Sequence, residues 1–202
     1  MQKLEEPRKS REREEAFSIL VDAVVEHDVS KEEVERNLRE GRPIHGIERL
    51  ELSEKNLKCV PEEIKWFVDL DSLNLCNNCL TELPDLSWLG KLTTLEVSDN
   101  QLTELPYLSD LKCIKYFDCS DNNLSELPDL SKLENLSQLD FSGNQLTELS
   151  ESLLPKSLHD LDFSNNKITS RLDFSGFGNL SHLDYDKNPL AEHPILPPQL
   201  KK

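Results

Sequence analysis

One asparagine recurs through the chain at a fixed interval of 22 residues, and this period is the strongest constraint on the fold. The members of the series are Asn78, Asn100, Asn122, Asn144, Asn166 and Asn188. Around each, the sequence follows the template LxxLxLxxNxL, with Ile, Val, Phe, Cys or Tyr at some of the leucine positions. An opening unit that begins at Ile47 has Lys55 where the asparagine should stand, so the sequence contains seven units. Such a period indicates a solenoid in which each unit packs on its neighbours.

The template also predicts the local structure of each unit. Residues such as Leu73 and Leu75 alternate towards the interior along a short strand, and the strands of successive units stack in parallel ~4.8 Å apart. The asparagine follows the strand and turns inward. Its amide can there donate to, and its carbonyl accept from, backbone groups that otherwise lack partners. The sequence therefore predicts a curved parallel sheet with the asparagines as structural residues.

The pattern resembles the leucine-rich repeat family over residues 46–195. The Leu-Pro steps Leu83-Pro84, Leu105-Pro106 and Leu127-Pro128 are similar to those of the short-repeat class found in internalins and translocated bacterial effectors. The resemblance implies an α/β fold, a leucine-rich repeat solenoid of seven repeats. Leucines at every third residue in the return half of each unit favour short 3₁₀ or extended structure there.

Residues 1–45 do not share the repeat, and we expect them to form an N-terminal α-helical cap in which residues 1–10 are polar enough to be disordered. A first helix is predicted from about Arg11 to His27, and a second opens with the capping box at Ser30 and stops near Gly41. The cap would cover the apolar edge of the first unit. A docking site for another protein, or a delivery signal, is the alternative. Residues 196–202 are expected to form a C-terminal tail or cap.

The charge balance excludes several functions. The chain has 23 Lys and Arg against 39 Asp and Glu, a net charge of −16. Such a chain has no basic face for nucleic acid and is repelled by an anionic membrane. The start of the sequence lacks the apolar core of a secretory signal. The number of cysteines, five, is odd, so we expect no disulfide framework. We therefore expect a cytoplasmic protein, or one secreted into a host cell by a route that needs no signal peptide.

Alternation along each strand places a row of acids on the concave face. The residue after the central inward position of each strand gives a central column, which consists of Glu51, Asn74, Glu96, Asp118, Asp140, Asp162 and Asp184. The residue before it gives a first column, which includes Tyr116, Gln138, Asp160 and His182. Neighbouring acids ~4.8 Å apart repel by ~1 kcal/mol even at the dielectric of water. We see no need for this row in folding, and so it is a candidate functional feature.

These columns lead to a functional hypothesis: a non-enzymatic module that binds a basic partner protein through its acidic concave face. The predicted partner-binding residues are Glu96, Tyr116, Asp118, Gln138, Asp140, Asp160, Asp162, His182 and Asp184. Tyr116 would be an aromatic anchor, and the charge would steer association. A merely solvated acidic surface is the alternative interpretation. Two other functions stay open: the substrate-recognition part of a larger enzyme such as a ubiquitin ligase, and a structural or adhesion protein.

Other reactive residues indicate no chemistry. Cys76 and Cys79 have CxxC spacing without a second ligand pair, and Cys119, which begins a Cys-x-Asp sequence, should face inward. His159 and His182 fall on surface columns without a pocket. We therefore expect no catalytic residue, no metal and no cofactor, and a monomer. Trp88, in a return segment, is expected to be partly packed; the alternative is that it faces solvent and adds a patch to the convex side.

Overall fold

A computed structural model describes residues 5–25 and 30–201 as two helices followed by a single parallel sheet. Helix α1 spans Glu5–Val25 and α2 spans Lys31–Arg39. The strands are β1 Arg49–Glu51, β2 Ser72–Asn74, β3 Thr94–Glu96, β4 Tyr116–Asp118, β5 Gln138–Asp140, β6 Asp160–Asp162 and β7 His182–Asp184. They pair in the order β1 to β7, each with the next along the chain. The predicted fold class, a leucine-rich repeat solenoid with a parallel sheet and an N-terminal helical cap, is confirmed.

The register of the sheet reproduces the sequence period. Leu73 lies opposite Leu95, and Leu95 opposite Phe117, so that equivalent residues of successive units are neighbours. The central residue of each strand from β1 to β6 is buried, and the residues on either side of it face outward. In the later units the core also contains stacked phenylalanines; the rings of Phe141 and Phe163 are 5.9 Å apart.

The asparagines of the series complete the backbone hydrogen bonding between units. Asn144, which is 2% exposed, accepts from the backbone N–H of Leu124 and donates to the carbonyls of Cys119, Phe141 and Ser142. One side chain thus bonds the preceding unit and its own unit at the same time. Asn78, Asn100, Asn122, Asn166 and Asn188 make equivalent bonds.

The residue immediately before each of these asparagines has a left-handed backbone conformation. The φ angles are positive at Asn77, Asp99, Asp121, Gly143, Asn165 and Lys187. Asparagine, aspartate and glycine tolerate this conformation best, which explains why they fill all but the last of these positions. At Gly143 the conformation is combined with a close approach, because a Cβ atom there would lie 2.1 Å from a carboxylate oxygen of Asp121.

The two helices cover the first unit, as the apolar pattern predicts. Leu20, Val21 and Val24 of α1 and Val34 and Leu38 of α2 are buried in the same core as the repeats. The Ser30 hydroxyl caps α2 by accepting from the Glu33 backbone N–H. Helix α1 begins at Glu5, ahead of Arg11, and therefore includes residues 5–10, for which we expected disorder. The predicted helix end near His27 and the expectation for residues 1–4 lie outside the described residues.

The loop between α2 and β1 is attached to the solenoid by the Ile44–Phe67 backbone bridge and by the Asp69 carboxylate. Asp69 accepts from the Gly46 backbone N–H at 3.1 Å and from Lys91 Nζ at 2.6 Å, and it contacts His45 Nδ1 at 3.1 Å. These partners, with Lys91 the strongest, hold the pKa of the Asp69 carboxyl well below its usual range. Asp69 therefore links the cap loop to the second unit.

The return segments are thin, as the leucine spacing predicts. Short 3₁₀ helices occur at Glu62–Trp66, Glu151–Leu153 and Pro198–Leu200. At the C-terminal end the Gln199 side chain donates to the carbonyls of Phe177 and Leu180, and Leu200 packs on the core. The tail therefore contacts the last part of the core.

Replacing an interior asparagine should destabilise the solenoid. Asn122→Ala removes the acceptor of the Leu102 N–H and the donor to three buried carbonyls, so we expect a loss of about 1–3 kcal/mol in the free energy of unfolding. Urea unfolding followed by circular dichroism measures it. The adjacent exposed Asn123 is the matched control, and Asn123→Ala should change the unfolding free energy little. Equal destabilisation by the two variants would contradict the structural role of Asn122.

Candidate concave binding face

The structure places all of the predicted partner-binding residues on the sheet. Each is the first or third residue of a strand from β3 to β7, and the central residue, which is buried in β3 to β6 and half-buried in β7, separates the two. Tyr116, Gln138, Asp160 and His182 occupy first positions, and Glu96, Asp118, Asp140, Asp162 and Asp184 occupy third positions. The period-two alternation of the strands thus presents all of them on the face opposite the core, which we call the concave face.

The acids of the central column form an unbroken ladder. Glu96 pairs in register with Asp118, and the pairing continues through Asp140, Asp162 and Asp184. Because the paired residues lie on hydrogen-bonded neighbouring strands, each carboxylate has an acid directly beside it.

The aspartates of the central column also take part in the local fold through their side-chain oxygens. One carboxylate oxygen of each aspartate accepts the backbone N–H two residues further on, where the chain leaves the sheet. The bonds are Asp118 to Ser120 at 2.9 Å, Asp140 to Ser142 at 2.9 Å, Asp162 to Ser164 at 2.8 Å and Asp184 to Asp186 at 2.9 Å. In the second unit the amide of Asn74 makes the same bond to Cys76 at 2.9 Å. The turn therefore requires a side-chain oxygen but not a negative charge.

The same turn occurs on the opposite, convex face, where the pKa of the aspartate carboxyl is lowered. Asp85, Asp129 and Asp173 each accept the N–H of the serine two residues on at 2.9 Å, and hydrogen bonds from the hydroxyl and the N–H of that serine lower the pKa of each carboxyl. At Asp140, burial raises the pKa despite an identical bond, and the neighbouring Asp162 and Asp118 raise it further. The surroundings of Asp140, and not the turn, therefore make its ionised carboxylate unfavourable.

Two other groups of the concave face, the Glu96 carboxyl and the Tyr116 phenol, also have a raised pKa. Burial, followed by Asp118 and Glu51, raises the pKa of the Glu96 carboxyl. Burial, followed by the carboxylates of Asp118 and Glu96, raises the pKa of the Tyr116 phenol to about 12. The phenol thus stays protonated at neutral pH and can donate a hydrogen bond within the acidic column.

One acid of the first column, Asp160, already has side-chain partners. Gln138 Nε2 donates to Asp160 Oδ2 at 2.9 Å, and His182 Nδ1 lies 2.7 Å from Asp160 Oδ1. Both partners are exposed, so this chain of side chains runs across β5, β6 and β7 at the surface. Asp160 is therefore already bonded on both oxygens, whereas the aspartates of the central column are bonded on one oxygen each.

Most of the predicted residues border one shallow depression of about 230 Å³. Its lining consists of Tyr116, Gln138, Leu139, Asp140, Asp160, Leu161, Asp162, His182 and Asp184. Leu139 and Leu161 supply an apolar floor between the acids. Glu96 and Asp118 do not border the depression and continue the acidic column beyond it. A depression of this size fits side chains of a partner rather than a small-molecule substrate.

The other reactive groups are not brought together. Cys76 Sγ accepts from the Ser98 hydroxyl at 3.0 Å, whereas Cys79 Sγ contacts Asn56 at 3.3 Å. Cys119 is fully buried, which raises the pKa of its thiol well above the usual value. His159 contacts the Ser137 hydroxyl and is separate from the His182–Asp160 pair. In the described part of the chain, no group of three or more His, Cys, Asp or Glu is arranged to hold a metal ion.

The turn-forming role of the aspartates had a signal in the sequence. An acid or amide precedes a serine or cysteine by two residues in several units, as in Asp118-Cys119-Ser120 and Asp162-Phe163-Ser164. The same Asp-x-Ser spacing recurs at Asp85 and Asp129 in the return segments. This spacing is typical of a side chain that bonds its own backbone two residues on.

Comparison with known proteins supports this description of the fold. Sequence profiles described as "Leucine Rich repeats (2 copies)" match residues 90–132 and 114–155, and one described as "Leucine Rich Repeat" matches residues 157–180. Comparison with curated protein sequences gives no significant match.

Several solved structures are similar to the chain. YopM from Yersinia enterocolitica is 37% identical with a TM-score of 0.66, over 76% of this chain and 31% of that one. A Shigella effector leucine-rich repeat domain is 27% identical with a TM-score of 0.65, over 81% of this chain and 69% of that one. A third similar structure is the ectodomain of the Arabidopsis thaliana receptor kinase GASSHO1/SCHENGEN3, which was solved in complex with CASPARIAN STRIP INTEGRITY FACTOR 2. It is 28% identical with a TM-score of 0.64, over 71% of this chain and 19% of that one. The chain thus spans about a third of the length of YopM.

The repeat, the sheet and these matches define a solenoid of the kind that typically serves protein–protein interaction. The matched profiles identify leucine-rich repeats in residues 90–155 and 157–180, and the described chain has the fold of a leucine-rich repeat solenoid. Neither described helix is long and apolar enough to span a lipid bilayer.

Neutralising one acid of the central column should stabilise the protein. Asp140→Asn retains the oxygen that accepts the Ser142 N–H and removes a charge beside Asp118 and Asp162, so we expect a gain of about 1 kcal/mol in unfolding free energy at pH 7. The folded-state pKa of Asp140 is raised, so wild-type stability rises as the pH falls through it and the carboxyl becomes neutral. The advantage of the variant should therefore shrink towards acidic pH.

Urea unfolding at several pH values measures this difference. Asp129→Asn is the control, because it alters the same turn on the convex face, where the pKa of the carboxyl is lowered and its charge is favourable. Asp129→Asn should leave stability unchanged or lower it. If Asp140→Asn were no more stable than Asp129→Asn at pH 7, the repulsion we assign to the column would be absent.

Proposed function

We propose that the chain is a non-enzymatic recognition module whose concave face binds a basic segment of a partner protein. The observation that carries the proposal is the contrast between identical turns on the two faces. The aspartate turns of the convex face favour the ionised carboxyl, whereas the burial and the crowding of acids at Asp140 disfavour it. A cationic partner would remove this penalty, because it supplies the opposite charge that the central column lacks.

The rigidity of the surface supports the same proposal. Each aspartate of the central column is held by a hydrogen bond to its own backbone, on a strand paired on both sides except at β7. Charged groups held in this way lose little conformational freedom when a partner binds. The protonated Tyr116 phenol adds a hydrogen-bond donor and an aromatic surface beside the acids, which is a frequent composition of interface hot spots.

The similarity to YopM and to the Shigella effector domain supports a role as a bacterial effector. In this proposal the protein is a monomer, it needs no cofactor, and it acts by binding. The plant receptor ectodomain solved in complex with another factor provides a precedent for recognition by the same fold.

A charge-neutral variant of the concave face tests the proposal without disturbing its turns. In Asp118→Asn/Asp140→Asn/Asp162→Asn each amide oxygen can still accept its backbone N–H, as Asn74 does. We expect this variant to bind a fluorescein-labelled octa-lysine peptide about ten-fold more weakly than the wild type at low salt, with the difference reduced at high salt. Fluorescence anisotropy measures both affinities.

The control removes as many charges from the convex face. Asp129→Asn/Asp173→Asn/Glu126→Gln changes the net charge equally, so it separates the concave column from the overall charge of the protein. Its affinity for octa-lysine should stay near that of the wild type. Equal binding by the two variants would contradict the proposal. When the concave variant and the convex control variant are both used for affinity capture from a host lysate, only the control variant should retain a basic protein.

A further inference from the structure

Two large aromatic side chains are exposed on the convex face. Trp88 is 66% exposed and Tyr107 is 61% exposed, whereas the other large apolar side chains of the described chain are buried or half-buried. The expectation that Trp88 would be partly packed is therefore wrong. The reason is local: Leu86 and Leu89 on either side of it fill the core, and Leu108 does so beside Tyr107.

The fold does not require aromatic residues at these positions. The 22-residue register makes Asp110 the counterpart of Trp88 in the next unit, and Asp85 the counterpart of Tyr107 in the preceding one. The turns are the same in both units, since the N–H of Leu89 bonds the Leu86 carbonyl as that of Leu111 bonds the Leu108 carbonyl. Acidic residues thus occupy both positions elsewhere in the same solenoid.

We call the surface made of Asp85, Trp88, Tyr107 and Asp110 the convex aromatic patch; aromatic and acidic side chains alternate in it. Each ring has an acid as its counterpart in the neighbouring unit. Bonds from Ser87 are the main cause of the lowered pKa of the Asp85 carboxyl, and the Trp88 side chain also lowers it, which places the indole close to this carboxylate. The faces of the two rings remain accessible.

The chain covers three of its other aromatic rings with its own cations. Arg39 lies 4.5 Å from the centroid of the Phe17 ring, Lys65 lies 5.5 Å from that of Trp66, and Lys156 lies 3.4 Å from that of Phe177. Among the side chains that the structure describes, no cation lies over Trp88 or Tyr107. The two most exposed rings therefore lack the type of partner that the other three have.

The size of the patch limits what it can bind. Aromatic side chains of this kind bury ~150–250 Å² each, so the two exposed rings offer roughly 200–300 Å². A stable dimer needs about 800 Å² on each partner, which this patch falls far short of. A short segment of a partner is thus a better fit than a second copy of the chain.

We infer that the convex aromatic patch binds an arginine side chain of a partner protein, at a site separate from the concave face. A planar guanidinium can stack on the Trp88 or Tyr107 ring and at the same time approach the carboxylates of Asp85 and Asp110. Lysine fits less well because its ammonium group cannot stack. The module thus has two recognition surfaces on opposite faces of the solenoid.

The first test is an NMR titration of Trp88. The probe is an acetylated, amidated Gly-Arg-Gly-Arg-Gly peptide, and the control peptide has uncharged citrulline in place of arginine. The protein is the Asp118→Asn/Asp140→Asn/Asp162→Asn variant, in which three charges of the concave face are removed. The arginine peptide should shift the Trp88 indole N–H signal saturably and leave that of Trp66 in place. No saturable shift, or an equal shift with citrulline, would overturn the inference and leave the concave proposal untouched.

The second test separates ring stacking from simple charge attraction. Trp88→Asp/Tyr107→Asp gives both positions residues that their counterparts already carry, so the fold should be kept. The variant gains two acids, and binding by charge alone would become tighter. We expect the fluorescein-labelled arginine peptide to bind about ten-fold more weakly to it. Tighter or unchanged binding would overturn the inference, as would a dimer of the parent protein in sedimentation experiments that the variant lacks.

Discussion

At each turn of the solenoid the chain leaves the sheet while several of its backbone N–H and carbonyl groups still face the interior. An inward asparagine satisfies them. Asn122 and Asn144, both nearly inaccessible to solvent, each bond backbone groups of two successive units. Because buried polar groups without partners are costly, the close stacking of the leucine layers depends on this side chain. The spacing of the strands, and with it the geometry of both faces, follows from this bonding.

The fold could be read almost completely from the sequence, because its main determinants repeat. The period of the asparagines fixes which residues are neighbours, and the alternation of Leu73, Asn74 and Leu75 fixes which of them face outward. The start of α1 could not be predicted in this way. Residues 5–10 are polar and have no apolar periodicity, so nothing in their pattern distinguishes a helical extension from a disordered tail.

The candidate site was predictable in position but not in physical character. The register that aligns Asp118 with Asp140 follows directly from the repeat. The hydrogen bond from each aspartate to its own backbone does not, because it depends on where the chain turns away from the sheet. The exposure of Trp88 was missed for a related reason. Its apolar character favoured packing, whereas the polar residues at the same position in other units, such as Asp110 and Lys132, indicated solvent.

The comparison of Asn74 with Asp140 has a consequence for how such a protein can change. Both side chains close the same turn, and only one of them carries a charge. Exchange between the two residue types at this position keeps the turn while it alters the charge of the surface that a partner meets. Binding preference can therefore diverge in single steps, unit by unit, without compensating substitutions in the core.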